Sequence, residues 1–264
     1  MILGASSGFG AACARALAAA GYDILGVHLD RRAAMEAVDA LVADLRSTGR
    51  SVRYFNTNAA ADDKRAAVID EIAALLQEEG GSVEVFLHSL AFGTLTRFIP
   101  QPAEVEAGGR AARGVTRRQL EMTLDVMANS LVYWTQDLVL RGLMGEGGRI
   151  FSLSSSGSHR VMPHYGPVSA AKAALESHSR QLACELASRG ITVNVLMPGV
   201  TDTPALRRIP GHEALMERAR AANPFGRLTT PEDVADCLVA LCGPGTRWLT
   251  GEVIRVDGGE DVMG

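Results

Sequence analysis

Short apolar runs alternate with amphipathic segments along almost the whole chain. An apolar run such as 83–87 is typical of a parallel strand buried on both faces, and the amphipathic segments are long enough to form helices. This alternation predicts an α/β fold with one Rossmann-type, doubly wound parallel sheet and helices on both of its faces. We expect strands at residues 1–3, 24–29, 52–56, 83–87, 149–153, 192–196 and 252–256, and helices at 11–20, 33–48, 62–79, 117–144, 167–190, 204–222 and 231–241.

Two stretches interrupt this alternation of apolar runs and amphipathic segments. We predict that they lie within a single domain, 1–264. Residues 97–116 are rich in proline, glycine and alanine and predict a mobile loop. Residues 201–226 hold only an irregular helical segment, which predicts a lid over a substrate. The sequence has no internal repeat and no linker that would divide it.

The overall composition excludes several classes of protein. The 264 residues are 47% apolar and 21% charged, which suits a folded domain with a full core. The net charge of −4 offers no cationic surface, so neither nucleic acid nor a membrane is an expected partner. Because no apolar run approaches the roughly 18 residues that span a bilayer, and no basic-then-apolar leader opens the chain, we expect a cytoplasmic protein.

The cysteines and histidines predict no metal site. The histidines are scattered and the acidic residues follow helix faces, without the spacing of metal ligands. The cysteines form no CxxC pair, so we expect small apolar residues in a reducing compartment. They are Cys13, Cys184, Cys237 and Cys242.

A glycine-rich loop follows the first apolar run, with the spacing Gly4-x3-Gly8-x-Gly10. Between a strand and a helix, such a loop lets backbone N–H groups approach a pyrophosphate, although a simple tight turn can show the same glycines. The spacing predicts a dinucleotide site that includes Ser6 and Phe9. Only three residues precede Gly4, whereas strands usually have about five or six, so we expect the natural chain to begin earlier.

Residues 152–172 bring a serine run, Tyr165 and Lys172 to the start of an alanine-rich helix, in a chain with one other lysine, Lys64. A nearby ammonium would lower the tyrosine pKa from its ordinary value near 10, and the lysine has three N–H groups that can donate hydrogen bonds. Seven helical residues advance about 10 Å. We therefore expect Tyr165 in the loop before the helix, curling towards Lys172 through Gly166 and Pro167.

Several motifs together resemble the short-chain dehydrogenase/reductase family over nearly the whole chain. They are the glycine loop, Asn58-Ala59, the Tyr165/Lys172 pair, Pro198-Gly199, and Thr250-Gly251 followed by Val256-Asp257-Gly258-Gly259.

Three departures from the common family pattern resemble the divergent enoyl-acyl-carrier-protein reductases. Val168 occupies the usual tyrosine position, and Tyr165 gives the spacing Tyr-x6-Lys instead. The segment His88-Ser89-Leu90-Ala91 replaces Asn-Asn-Ala-Gly, and the usual helix asparagine falls near Met127, two residues before Asn129. Residues 165–186 and 205–227 are similar to the NADPH-using, dehydrogenase-like form of these reductases.

The resemblance implies NAD(P)H-dependent reduction of the 2,3-double bond of a 2-enoyl thioester. Tyr165 would stabilise the enolate oxygen and Lys172 would position ribose. Ser155 occupies the position at which one branch of these reductases has a second tyrosine. It would either donate a hydrogen bond to the thioester oxygen or, like the neighbouring serines, form hydrogen bonds with backbone groups at the end of the strand. The substrate would be an acyl thioester, on acyl carrier protein or coenzyme A, and the assembly a homo-oligomer (tetramer or dimer). Further cofactor contacts would be Asn58, Ala59, Ser89, Leu90, Ala91, Pro198, Gly199, Val200, Thr201 and Thr203.

The end of the second strand bears on cofactor choice. An acid there binds the adenine ribose 2′-hydroxyl, whereas an arginine accepts a 2′-phosphate. His28 occupies the usual acidic position, Asp30 comes two residues late, and Arg31 and Arg32 follow. We expect NADPH, with NADH open.

Other candidates have an ordinary explanation beside a functional one. His88 would line the nicotinamide side or be a polar strand end, and His159 and His164 would flank the site or be solvated. Four apolar residues would line an acyl pocket or belong to the core: Met162, Met197, Leu206 and Phe225.

Two alternative functions remain open. One is a ketone or alcohol oxidoreductase of the same family, such as a 3-oxoacyl-thioester reductase. The other is a catalytically silent nucleotide-sensing protein, which the presence of both Tyr165 and Lys172 disfavours.

Overall fold

The computed structural model describes residues 1–109 and 113–263, within which seven strands form one sheet. The strands are β1 (Ile2–Leu3), β2 (Ile24–His28), β3 (Val52–Asn56), β4 (Val85–His88), β5 (Arg149–Leu153), β6 (Thr192–Pro198) and β7 (Val253–Val256). Their order is β3-β2-β1-β4-β5-β6-β7, and all neighbours are parallel. The strand order reverses between β1 and β4, and in open α/β sheets ligands bind at that point, beyond the carboxyl ends of the strands.

Helices cover both faces of the sheet, which confirms the predicted fold class. The helices are α1 (Gly8–Ala19), α2 (Met35–Ser47), α3 (Asp62–Glu79), α4 (Pro102–Ala107), α5 (Arg117–Leu124), α6 (Ser130–Leu140), α7 (Gly166–Leu186), α8 (His212–Ala222), α9 (Pro231–Leu241) and α10 (Glu260–Met263). The first core cluster contains buried residues of α3, α6 and α7, and a second contains those of α1, α2 and α9. In the first core, Trp134 is fully buried and its Nε1 donates to Ala59 O at 2.8 Å, which fixes the loop after β3.

The structure divides the long helix expected at 117–144. A π-helical turn at Asp125–Asn129 separates α5 from α6, and glycines follow the end of α6. The hydrophobic period alone does not reveal this turn, because one extra residue in a helix barely changes the apolar pattern.

The two irregular stretches contain short helices. α4 lies within 97–116 and begins with a capping box between Gln101 and Glu104. Residues 110–112 of this stretch lie outside the described ranges, and its mobility stays a prediction. In 201–226 a short 3₁₀ turn, Leu206–Arg208, precedes α8, and the lid role also stays a prediction. Among the described helices, none is both long and apolar enough to cross a bilayer.

Candidate active site

Two adjoining openings lie beyond the carboxyl ends of the strands. The outer groove extends from the glycine loop over the end of β2, and the inner cavity lies between the ends of β4, β5 and β6. They share part of one wall, formed by Phe9, Ser89, Leu90, Ala91, Thr203, Ala205 and Arg208.

The glycine loop packs so closely that side chains would not fit. A Cβ atom on Gly4 would lie 2.6 Å from Ser89 O, and one on Gly10 would lie 2.0 Å from Gly4 O. The α1 N-cap residue, Ser7, makes no side-chain capping hydrogen bond. First-turn N–H groups of a helix lack intrahelical partners, so this end of α1 suits the pyrophosphate of a dinucleotide.

The structure brings nearly all predicted site residues to these openings. Of the predicted set, Gly4, Ser6, Gly8, Phe9, His28, Asn58, Ala59, Ser89, Leu90, Ala91 and Thr203 line the outer groove. Ser155, Tyr165, Lys172, Pro198, Gly199, Val200 and Thr201 line the inner cavity, with Phe9, Ser89, Leu90, Ala91 and Thr203 from the shared wall. Gly10 lies beneath the loop, and Arg31 lines neither opening.

Asp30, rather than an arginine, forms the groove wall after β2. Its carboxylate bonds to Nδ1 of the buried His28 at 2.9 Å. Asn56 holds its backbone from both sides, because Asn56 Oδ1 accepts from Asp30 N and Nδ2 donates to Asp30 O, each at 3.0 Å. Counting along the sequence placed the acidic position at His28, but the Asp30 side chain folds back beside it. Arg31 lines neither opening, and its expected contact with a cofactor stays a prediction.

Tyr165 lies directly before α7, as its spacing from Lys172 predicted. Its ring packs on a tight turn at Ser156–Ser158, since a Cβ atom on Gly157 would lie 2.5 Å from Tyr165 Cε1. The phenol is buried but reaches the inner cavity. The tyrosine is therefore held by backbone geometry at the cavity wall.

Burial raises the pKa of Tyr165 above its ordinary value, and a hydrogen bond from Ser155 partly opposes this rise. The lowering of this pKa that a nearby positive charge would cause stays a prediction. Within the described residues no hydrogen bond joins Tyr165 to Lys172. Near neutral pH the tyrosine is protonated and can donate a hydrogen bond.

The ammonium of Lys172 lies at the end of β5. It is buried, its Nζ donates to Leu153 O at 2.6 Å, and burial lowers its pKa to about 8. Glu176, one helical turn later, opposes that lowering and accepts a hydrogen bond from Ser154 Oγ. Neither Glu176 nor Ser154 was among the predicted site residues, although the i,i+4 spacing of Lys172 and Glu176 indicates an interaction on one helix face.

His88 is fully buried and lines neither opening. Ser130 Oγ donates to Val126 O at 2.8 Å, so it accepts from His88 Nε2, also at 2.8 Å. Burial, and then the charge of Lys172, lower the pKa of His88 to about 3. His88 is therefore a neutral group at the end of a strand, behind the site. This agrees with the explanation of His88 as a polar strand end.

The inner cavity has apolar side chains where the common family pattern has polar ones. Met127 and Val168, aligned above with the usual asparagine and tyrosine, both line it. Met162 and Leu206 line it as expected, whereas Met197 is buried in β6 and Phe225 is 76% exposed away from it. Three further apolar residues that were not predicted from the sequence also line the cavity: Leu95, Ile209 and Leu215.

A Rossmann sheet with this glycine loop, tyrosine and lysine defines an oxidoreductase of the short-chain dehydrogenase/reductase class that uses a nicotinamide dinucleotide. The family model described as enoyl-(acyl carrier protein) reductase matches residues 4–260. The chain belongs to this family.

Named relatives agree with this membership. The enoyl-acyl-carrier-protein reductase (NADH) FabI of Aquifex aeolicus is 37% identical over 196 residues, which cover 74% of this chain and 68% of FabI. The crystal structure of the enoyl-acyl-carrier-protein reductase (NADH) from Aquifex aeolicus VF5 has a TM-score of 0.79 at 30% identity, covering 100% of this chain and 96% of that one. A Streptomyces coelicolor protein with the provisional name ketoacyl reductase is 28% identical over 258 residues, covering 89% of this chain and 92% of the relative.

Proposed function

We propose that the protein reduces the 2,3-double bond of a 2-enoyl thioester with a nicotinamide dinucleotide. The observation that carries the proposal is the placement of the Tyr165 hydroxyl at a cavity whose wall is apolar at Met127 and Val168. An apolar wall suits an acyl chain, and one hydroxyl suits the thioester oxygen. The family model and the enoyl reductase relatives support the same reaction.

Bound NAD(P)H would supply a hydride to C3 of the substrate. As the double-bond electrons move to the thioester oxygen, the Tyr165 hydroxyl donates a hydrogen bond to the forming enolate, an interaction that strengthens in the transition state. A proton taken up from solvent at C2 then yields the saturated thioester. Lys172 donates one hydrogen bond to Leu153 O and lines the inner cavity, so its two other N–H groups can bind ribose hydroxyls.

For the cofactor we propose NADH, in place of the NADPH expected from Arg31 and Arg32. Asp30 lines the outer groove, and a carboxylate there binds a ribose 2′-hydroxyl but repels a 2′-phosphate. The FabI relative of Aquifex aeolicus carries NADH in its name. Comparing kcat/KM for NADH and NADPH tests this choice, and a preference for NADPH would contradict it.

The test of the reaction is cofactor oxidation with crotonyl and longer 2-enoyl thioesters, on coenzyme A and on acyl carrier protein, with the saturated product identified by mass spectrometry. We expect turnover, with acyl carrier protein as the preferred carrier. Turnover of 3-oxoacyl thioesters alone would establish the ketoreductase alternative, and cofactor binding without any oxidation would establish a silent sensor. A homo-oligomer and a cytoplasmic location stay predictions.

A further inference from the structure

The turn at 257–261, which follows β7, contacts three segments around the inner cavity. One is the catalytic loop, 154–165, which contains Ser155 and Tyr165. Another is the cofactor loop, 198–203. The third is the end of α8, where Asn223 Nδ2 donates to Asp257 O at 2.8 Å.

Asp261 holds the catalytic loop through charged hydrogen bonds. Its carboxylate is only 6% exposed and lies 2.7 Å from Arg160 Nε, 2.8 Å from Arg255 Nε and 3.1 Å from His159 Nε2. Burial alone would raise the Asp261 pKa, but Arg255, His159 and Arg160 outweigh it and lower that pKa. Asp261 is therefore an ionised, nearly buried acceptor, and Arg160 and His159 belong to the catalytic loop.

Arg160 connects this carboxylate to the tyrosine. Its backbone N–H donates to Ser156 O at 2.8 Å, and its guanidinium also donates to the Asp261 carbonyl. Ser156 opens the turn whose Gly157 backbone lies against the Tyr165 ring. Movement of Arg160 would therefore shift the surface on which the ring packs.

Glu260, the neighbour of Asp261, reaches the cofactor loop instead. Its carboxylate accepts from Val200 N at 3.1 Å. A Cβ atom on Gly199 would lie 2.8 Å from Glu260 Oε2, so the loop packs directly on this carboxylate. Adjacent carboxylates thus hold the two loops that border the inner cavity.

We propose that Asp261 is a positioning residue that fixes Tyr165 through Arg160, while Glu260 fixes the cofactor loop, so that one turn aligns the tyrosine with the cofactor. This inference rests on the proposed function, because it assigns the alignment to enoyl reduction. Neither carboxylate touches the substrate in this scheme.

Two arginines provide a matched test. Arg160→Gln and Arg255→Gln each remove one guanidinium from Asp261, but only Arg160 belongs to the catalytic loop. We expect Arg160→Gln to lower kcat about tenfold, as misalignment of a reacting group does, with the cofactor Kd unchanged. Arg160→Lys should recover part of the loss, and Arg255→Gln should keep kcat within about twofold of the wild type.

Glu260→Gln should show the complementary result. We expect the cofactor Kd, measured by nucleotide fluorescence, to rise by about fivefold, because a neutral amide accepts a weaker hydrogen bond from Val200 N–H. Equal losses of kcat in Arg160→Gln and Arg255→Gln, or an unchanged Kd in Glu260→Gln, would overturn the inference. A wild-type protein inactive on 2-enoyl thioesters would instead contradict the proposed function, and the Kd comparison would still be measurable.

Discussion

Lys172 donates from Nζ to the backbone carbonyl of Leu153 at 2.6 Å and so joins α7 to the end of β5. Because the lysine is buried there, its pKa falls to about 8. Above that pH the ammonium loses a proton, and with it a hydrogen bond donor and the positive charge at the wall of the inner cavity. We expect kcat/KM to fall as pH rises through about 8.

The free energy of unfolding should change in the opposite direction. Between the folded value of about 8 and the ordinary value of 10.5, the unfolded chain binds one more proton at Lys172. The contribution of Lys172 to the free energy of unfolding therefore increases with pH over that interval. Activity and urea-unfolding profiles on the same samples separate the two effects.

Glu176→Gln should move the alkaline limit of activity to lower pH. Glu176 raises the Lys172 pKa, so its neutralisation removes support for the ammonium. Glu185→Gln, an exposed change on the same helix, is the matched control and should leave the profile unchanged. A pH profile of Glu176→Gln identical to that of the wild type would show that Glu176 has no such role.

Tyr165→Phe should remove most of the enoyl reduction. Loss of a single oxyanion donor typically costs about 10²- to 10³-fold in kcat. Cofactor affinity should be retained. Tyr133→Phe, which changes a half-buried tyrosine beneath the Arg65 guanidinium, should behave like the wild type. Full activity in Tyr165→Phe would contradict the proposed mechanism.

Ser155→Ala should lower kcat by about threefold to tenfold, the range that one hydrogen bond accounts for. Ser155 Oγ accepts from Gly157 N at 3.1 Å and interacts with the Tyr165 hydroxyl, so its loss loosens the tyrosine. Ser47→Ala, an exposed change at the end of α2, is the control. If both variants retain wild-type kcat, Ser155 only satisfies strand-end backbone.

Asp30→Asn should weaken discrimination against NADPH. It removes the negative charge that faces the outer groove, whereas Arg31→Gln changes a residue outside that groove. We expect the kcat/KM ratio of NADPH to NADH to rise about tenfold in Asp30→Asn, as loss of one repulsive charge allows, and to stay constant in Arg31→Gln. A ratio that stays constant in Asp30→Asn and changes in Arg31→Gln would instead favour NADPH, the cofactor expected from Arg31 and Arg32.

His88 should make the protein sensitive to acid. Between its ordinary pKa of 6.5 and its folded value of about 3, the unfolded chain binds a proton that the folded chain excludes. Stability should therefore fall on acidification by up to about 1.4 kcal/mol per pH unit. His88→Gln should show a shallower decline in urea unfolding than His212→Gln, and equal slopes would contradict this account.

The parts of the site that depend on backbone geometry could be predicted from sequence. Gly4 and Gly10 have no room for a Cβ atom, so only glycine fits at these two positions. The glycine spacing can therefore be read directly from the sequence. The spacing of Tyr165 and Lys172 likewise placed the tyrosine before the helix, because helical rise fixes distances along an axis.

The parts that depend on how separate segments approach one another could not be predicted. Asp30 takes its position from Asn56, a residue on the neighbouring strand. The pKa of Tyr165 depends on how deeply the ring is buried beneath the turn at Gly157. Neither relationship can be recognised from the spacing of residues in the sequence.

The wall shared by the outer groove and the inner cavity has a kinetic consequence. Ser89, Leu90 and Thr203 border both openings, so a dinucleotide lying along the groove would form part of the surface that an acyl chain meets. The thioester then finds its complete binding surface only after the dinucleotide has arrived. Turnover should follow a compulsory order, with the nucleotide first to enter and last to leave. The oxidised nucleotide should then inhibit competitively against the reduced nucleotide, and the saturated product should inhibit non-competitively against the enoyl substrate.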